Sequence, residues 1–551
     1  MKNKKKEIGA GLSRPIFFVP SRGIEPLSFV PKTKMLSITP RGLQYNFARK
    51  IEKNQILKYN KGMTIPKEVK KVIAELQKNN YEVYLVGGCV RDLLRGIEPE
   101  DWDVATNAEP DEIKKTFLKS FMNNKFGTVT VRIKKMEIEV TPYRTEEKYT
   151  DKRHPDEVKW AKTIEEDLAR RDFTINAIAL EIEGTEFLNK KELGSFKIID
   201  PFGGQEDLED KIIRAVGRPE DRFSEDALRL MRAVRFATVF DFEIEEETSK
   251  AIQKNAPWLR AISRERIRDE FLKIIMAEKA ADGIEVLRKL GLLKYMIPEL
   301  EQGYKISQNK HHIYDCYEHS LLSLKYAAQQ KFNKYVRLAA LLHDIGKPRS
   351  KRGEGSDATF YNHEVIGAKM TAQILNRLRF SKKDIEKIVK LVRYHLFYYN
   401  VDEVTEASVR RLVRNVGPEN MDELLEVRMA DRIGSGVPKA EPYKLRHLRY
   451  IIERVSQDPI SAKMLKVNGD DVMKILDIKP GLKIGWILDI LLGYVLADPK
   501  KNKKAFLEKE IKKLGKLSEK ELSSLAQKSK KEREQVEMKK DEMTKKKYWV
   551  T

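Results

Sequence analysis

A chain of 551 residues is longer than one ordinary core accommodates, so two or more packed units are expected. Lys+Arg number 107 against 84 Asp+Glu, a formal net charge of +23; such a surface attracts polyanions, nucleic acid among them, although a lysine-rich composition alone gives the same excess. The two cysteines, Cys89 and Cys316, have no partners at metal-ligand spacing, which excludes a disulfide scaffold and fits a reducing cytoplasm; no apolar run reaches about 18 residues, so no membrane-spanning helix is expected.

Taken in chain order, residues 1–62 carry scattered Pro, Gly and Lys without sustained periodicity and read as a non-globular extension. Within them, residues 21–44 (SRGIEPLSFVPKTKMLSITPRGLQ) resemble a translated tRNA gene, so Met63 is the expected start. Mass spectrometry recovering peptides of residues 1–60 from the native protein would refute that. From Met63 the pattern gives a helix over 66–79, a buried strand over 81–86, a Gly87-Gly88 turn, a helix from near Val90, and strands between 126 and 143. These form a compact α/β head over 63–205. Beyond Leu208 apolar residues recur at threes and fours, as at Leu228, Met231 and Val234. The spacing predicts a helical neck and body over 206–305, a helical domain over 306–460 and a helical C-terminal segment over 461–510. The charged tail over 511–551 is expected as helix or disorder. The fold class expected is α+β.

Residues 85–94 (LVGGCVRDLL) read as a buried strand entering a helix through Gly87 and Gly88, where backbone N–H groups and the helix dipole favour a phosphate. Alone, a Gly-Gly pair is more often a plain turn. About a dozen residues on come Asp101-Trp102-Asp103. Residues two apart on a strand point to one side, so both carboxylates can converge on hard cations. Two such ions can activate a 3′-hydroxyl and stabilise leaving pyrophosphate. Alone, a DxD is more often a surface pair; its place after GGxVRDxL reverses that reading. Glu139, on the strand over 138–143, is a third candidate ligand, against its reading as an exposed residue in strand alternation.

With these blocks the stretch from about 85 to 268 resembles class II tRNA nucleotidyltransferases and bacterial poly(A) polymerases, which share a polymerase-β-like head followed by a helical neck and body. The resemblance implies that Gly87, Gly88 and Arg91 lie by the triphosphate. Residues 170–179 (RRDFTINAIA) resemble the ribose block, in which Asp172 and Asn176, one helical turn apart, face the sugar. Residues 200–208 (DPFGGQEDL) resemble the hinge between head and neck, and 264–270 (RERIRDE) the helix-supporting block. Residues 224–237 (SEDALRLMRAVRFA) resemble the base-reading block, with Asp226 and Arg229 three apart on one helix face and Glu225 positioning them. A carboxylate only accepts and a guanidinium only donates. That pair suits cytosine and adenine, which present an amino donor beside a ring-nitrogen acceptor, and rejects uracil and guanine.

The resemblance implies two Mg²⁺ in the head, CTP and ATP as substrates, and tRNA as the partner. CCA addition leads, then A-addition, then polyadenylation. Residues 144–160 (RTEEKYTDKRHPDEVKW) resemble the mobile loop that CCA- and A-adding enzymes need. The reading of the last third comes from His319, the His343-Asp344 pair in LAALLHDIGKP, His363, His395 and Asp431, which resemble the ligands of HD phosphohydrolases. The first His, the His-Asp pair and the distant Asp would hold one divalent ion, and His363 and His395 would complete a second site. This gives the reading of a different class, a metal-dependent phosphohydrolase acting on RNA ends or cyclic phosphates. A third, a nucleic-acid binder with dead sites, is disfavoured because both constellations are complete. Residues 480–499 resemble the C-terminal segment of many tRNA nucleotidyltransferases, with body and tail gripping tRNA through backbone phosphates.

Overall fold

The computed structural model describes residues 65–122, 127–147, 157–182, 196–309, 313–456, 462 and 465–550. The extension over 1–62, the expected start at Met63 and the middle of the loop over 144–160 lie outside the described residues.

The first helix, Lys67–Lys78, buries Val69, Val72, Ile73 and Leu76, a helical stripe. Strands β1 (Val83–Val86), β2 (Asp103–Thr106), β3 (Ser120–Met122), β4 (Val129–Ile133), β5 (Met136–Pro142), β6 (Arg144–Glu147), β7 (Glu157–Trp160), β8 (Ala179–Ile182) and β9 (Phe196–Ile199) follow. Seven make one mixed sheet in the order β3-β4-β5-β2-β1-β8-β9. Only β2 and β5 pair in parallel within it, in a register that sets Asp103 opposite Glu139. The strands β6 and β7 pair separately as the base of the loop.

Strand β1 is buried on both sides. Val83 and Leu85 enter the core formed with the first helix, while Tyr84 and Val86 enter a smaller one with Tyr143, Leu168 and Ala177. Period-2 alternation then decides the chemistry of the sheet. Trp102, Val104, Ile138 and Val140 all belong to the first core, so Asp101, Asp103 and Glu139 are assigned to the opposite face.

Beyond the head the chain is mostly helical, with one short parallel pair, Ile212–Ile213 beside Glu243–Ile244, that the 3.6-residue period did not announce. A single apolar cluster runs from Phe173 and Phe223 through Phe271 and Leu338 to Tyr450 and Val550, so neck, body and the last helical domain share a core. A separate cluster spans Leu465 to Ala526. The helix Glu519–Lys547 buries Leu522 and Ala526 there and, further on, takes a hydrogen bond from Tyr450 on Asp541. The charged tail therefore opens with core-forming residues rather than as a wholly solvated stretch.

Candidate functional site

Gly87 caps the helix Gly88–Leu94 with φ +75° and ψ −132°, a conformation open to glycine and strained for other residues. A Cβ there would sit 2.7 Å from Arg171 Nη1 and 3.5 Å from Asp103 Oδ2. The bare backbone thus leaves room for the Arg171 guanidinium and the Asp103 carboxylate on either side of the turn.

A cavity of 490 Å³ opens beside it, lined by Gly87, Gly88, Arg91, Asp103, Asp172, Asn176, Asp226 and Arg229, all named from the sequence, together with Arg170, Arg171, Leu228, Arg232, Arg235, Phe236 and Arg266. Seven guanidiniums face three carboxylates, an excess that suits a polyanionic ligand. The sequence reading missed the second group. For Arg232 and Arg235 a signal was present, since they follow Arg229 at intervals of three and so ridge one helix face.

Asp101 precedes β2 instead of lying on it, and both it and Glu139 are exposed; neither lines the cavity. Burial pushes the Asp103 carboxyl up to about 6, with the charges of Glu139 and Asp101 adding to the rise and Arg171 and Arg91 opposing it. Three mutually repelling carboxylates beside a buried strand end are a donor set that a hard divalent cation fits. They are not drawn as close as the histidine cluster below; among the described residues, acidic and imidazole groups within 4.8 Å of one another in threes or more occur only there.

Two expectations of local structure are corrected. Asp172 and Asn176 do not share an α-helical turn, because the helix Ile164–Ala169 has ended and a 3₁₀ turn, Thr174–Asn176, follows. Their side chains nonetheless meet, with Asn176 Nδ2 donating to Asp172 Oδ1 at 3.1 Å. Arg91 Nη1 donates to Asn176 Oδ1 at 2.8 Å, and Arg232 Nε to Asp172 Oδ2 at 2.6 Å. The result is a continuous hydrogen-bonded chain from Arg91 to Arg232 with a buried Asn176–Asp172 link at its centre.

Asp226 and Arg229 likewise do not lie on one helix. The helix Pro219–Glu225 ends at Asp226, which is extended, and the next helix is Arg229–Phe240. The break follows from the side chain itself, since Asp226 Oδ1 accepts the Leu228 N–H at 3.0 Å, an Asx-type turn that competes with helix. Nor do their side chains pair with each other, although the Arg229 N–H donates to the Asp226 carbonyl at 2.9 Å. Arg229 is bound by Glu225 and by the Arg222 and Arg170 carbonyls. Asp226 is held by Arg266.

The second site is built on helices. Helix Lys334–Leu342 delivers His343 at its C-terminus, helix Cys316–Gln329 carries His319, helix His363–Arg377 opens with His363 and helix Met421–Gly434 carries Asp431. All six residues named from the sequence come together in two groups that share Asp344: His319, His343, Asp344 and Asp431, and Asp344, His363 and His395. His319 Nε2 lies 3.1 Å from Asp344 Oδ2 and 3.4 Å from Asp431 Oδ1. His363 and His395 Nε2 lie 3.3 and 3.7 Å from Asp344 Oδ1.

The Nδ1 atoms of His343, His363 and His395 lie 2.9, 2.8 and 2.7 Å from the carbonyl oxygens of Ala340, Phe360 and Val392. Donation from Nδ1 there turns Nε2 inward, the orientation of a metal-ligating histidine. Burial alone would raise the Asp344 carboxyl; His343, Lys347 and the hydrogen bonds from His319 outweigh it and hold the group well below the usual carboxylate range. A buried set of four imidazoles and two carboxylates fits a divalent transition metal. The cleft over it measures 880 Å³ and adds Lys347, Arg428 and Arg432 to the lining. Lys347 Nζ is 2.6 Å from Asp344 Oδ2 and Arg428 Nη1 2.6 Å from Asp431 Oδ2. Neither was read from the sequence, although Lys347 stands in the same motif.

Comparison with known proteins matches residues 83–214 to the poly A polymerase head domain, 241–303 to the probable RNA and SrmB-binding site of polymerase A, and 316–434 to the HD domain. The CCA-adding enzyme of Ligilactobacillus salivarius is 33% identical over 466 residues, 81% of this chain and 99% of that one. An A-adding tRNA nucleotidyltransferase of Deinococcus radiodurans is 32% identical over 426 residues, 74% of this chain and 90% of that one. Among solved structures, the Bacillus stearothermophilus CCA-adding enzyme in complex with CTP superposes with a TM-score of 0.52 at 28% identity, covering 82% of this chain and 98% of that one.

Proposed function

The chain belongs to the CCA-adding family of tRNA nucleotidyltransferases and carries an HD domain, and on that premise we propose that it adds CMP and AMP from CTP and ATP, without a template, to the 3′ end of tRNA. The observation that carries this reading is the head cavity, where an acceptor carboxylate and a donor guanidinium, Asp226 and Arg229, share a strongly cationic wall with Asp103.

Asp101, Asp103 and Glu139 would hold Mg²⁺, which when bound supplies charge neutralisation at the triphosphate and polarisation of the attacking 3′-hydroxyl. The remaining work falls to the chain itself. The Gly87-Gly88 turn and Arg91 receive the triphosphate, and the Asn176–Asp172 pair braces Arg91 and Arg232 around the sugar. Asp226 accepts from the base amino group while Arg229 donates to the ring nitrogen. Attack on the α-phosphate then depends on positioning and charge compensation, with no protein nucleophile. A tRNA-processing role and two buried, unpaired cysteines suit the cytoplasm; among the described residues no helix is long and apolar enough to cross a membrane.

Purified protein incubated with tRNA ending before CCA, before CA and before A, each with single nucleotides, tests the product. Successive addition of C, C and A is expected. Incorporation of A alone, on the last substrate only, replaces CCA synthesis with A-addition, and long A tails on unrelated RNA replace it with polyadenylation.

The second cleft favours a second activity. His319, His343, Asp344 and Asp431, with His363 and His395, would hold a divalent metal that when bound supplies a nucleophilic water for phosphoester hydrolysis, and Lys347, Arg428 and Arg432 offer charge to the phosphate. Asp101→Ala is expected to stop incorporation and spare hydrolysis of a cyclic nucleotide phosphate, and Asp344→Ala to do the reverse. Absence of hydrolysis by the parent with any added divalent metal would leave the cleft a scaffold.

A further inference from the structure

The nucleotide pocket contains a residue that no sequence block assigned to base recognition. Arg266 stands in the first turn of the helix Arg264–Met276, 40 residues from Asp226 in the chain, and closes a fork on it: Nη2 to Oδ2 at 2.6 Å and Nη1 to Oδ1 at 3.3 Å. Both residues line the cavity. The helix that carries the fork is itself held in place, by Arg264 Nη1 on the Tyr295 carbonyl at 2.9 Å and by Glu270 against Arg235 at 2.8 Å.

Counting acceptor positions shows what the fork does. A carboxylate offers two positions on each oxygen. On Oδ1 the Leu228 N–H takes one and Arg266 Nη1 the other; on Oδ2 Arg266 Nη2 takes one. One position on Oδ2 is left, the number that a single base amino group requires. The same count at Arg229 gives the complement. Both Nη1 hydrogens go to Glu225 and the Arg222 carbonyl, and one Nη2 hydrogen to the Arg170 carbonyl. One Nη2–H and the Nε–H remain to donate.

We propose that Arg266 is a positioning residue for base selection, its fork locking the Asp226 carboxylate so that one acceptor faces the amino group of cytosine or adenine. The proposal rests on the base-reading role of Asp226 and deepens it. Without the fork the carboxylate rotates about χ2 and presents extra acceptors. A pocket that no longer fixes a lone acceptor beside the two Arg229 donors loses its penalty for uracil, whose carbonyl faces the carboxylate in the wrong sense. Charge at Arg266 is insufficient, because a lysine ammonium lacks the planar two-point geometry.

The test uses the full-length protein, tRNA ending before CCA, and CTP or UTP as single nucleotides, for the parent, Arg266→Gln, Arg266→Lys and Asp226→Asn. Thermal melting monitors folding. The expected result for Arg266→Gln is a loss of about tenfold or more in the ratio of kcat/KM for CTP over UTP, with the CTP loss mainly in KM. Arg266→Lys should fall between that variant and the parent, and it decides the question if Arg266→Gln does not fold. An Arg266 variant that folds and keeps the parental ratio within about twofold overturns the proposal and reduces the ion pair to a tie between helices. If Asp226→Asn also keeps the parental ratio, base reading by Asp226 itself is overturned, a failure distinct from that of Arg266 alone.

Discussion

Asp172 shows how a single buried side chain ties stability to pH. Burial by itself would push its carboxyl up; the Arg232 and Arg229 charges and the Asn176 hydrogen bond outweigh that and hold it near about 2. A depressed carboxyl contributes stability above its unfolded value near 4 and loses it as pH falls through the folded value. The contribution is about 2 kcal/mol at neutral pH. Asp172→Asn should therefore lower stability at pH 7 by at least that amount, with the gap to the parent closing between about pH 4 and 2, as read by urea denaturation. A gap constant across that window would contradict the assignment. At this scale legibility depended on distance along the chain. Asp103 stands in a three-residue motif and lines the head cavity, and His343 adjoins Asp344 in one cluster, so short motifs pointed to them, whereas Asp101 of the same motif lies outside the cavity lining. Arg266 reaches Asp226 across 40 residues, and only helix packing makes that contact.

Among the elements, the helices of the body are joined by a buried cation. Arg337, 4% exposed, lies on the helix Lys334–Leu342 and donates to the Ile275 and Ala277 carbonyls at 3.0 and 2.9 Å, and to the Phe332 carbonyl at 2.8 Å. It thereby satisfies the C-terminal carbonyls of the helix Arg264–Met276, groups that a helix cannot pair internally. Arg337→Met should cost about 2–4 kcal/mol by stranding buried acceptors, visible as an earlier urea midpoint; an unchanged midpoint would mean that water replaces the contact. Helical periodicity predicted the helical regions over 206–305 and 306–460 that hold these two helices, but it carries no information on which side chain closes which helix end. The same blindness placed Asp226 and Arg229 on one helix, because an i,i+3 spacing reads identically across the turn that the Asp226 side chain creates.

Across the whole molecule, the excess of 107 basic over 84 acidic residues predicts that tRNA binding is strongly salt-dependent. If six to ten phosphates are neutralised, affinity should fall about 10³–10⁵-fold between 50 and 200 mM salt. Filter binding across that range is the check, and a flat response would move recognition away from backbone phosphates. The order of head, helical body and HD domain was legible because each carries its own compact motif. The shared apolar cluster from Phe173 to Val550 was not, since contacts between distant helices leave no periodic trace.

That shared interior bears on the protein's history as well as its mechanics. The first turn of the helix Arg264–Met276 reaches the head cavity by gripping Asp226 through Arg266, and its last turn is closed by a residue six positions ahead of His343. A gene shortened to the polymerising half would leave that strut open-ended and bare the hydrophobic flank it leans on. Loss of the appended HD domain by simple deletion is therefore disfavoured, and decay of its histidines and aspartates, with the shell retained as a buttress, is the cheaper evolutionary exit.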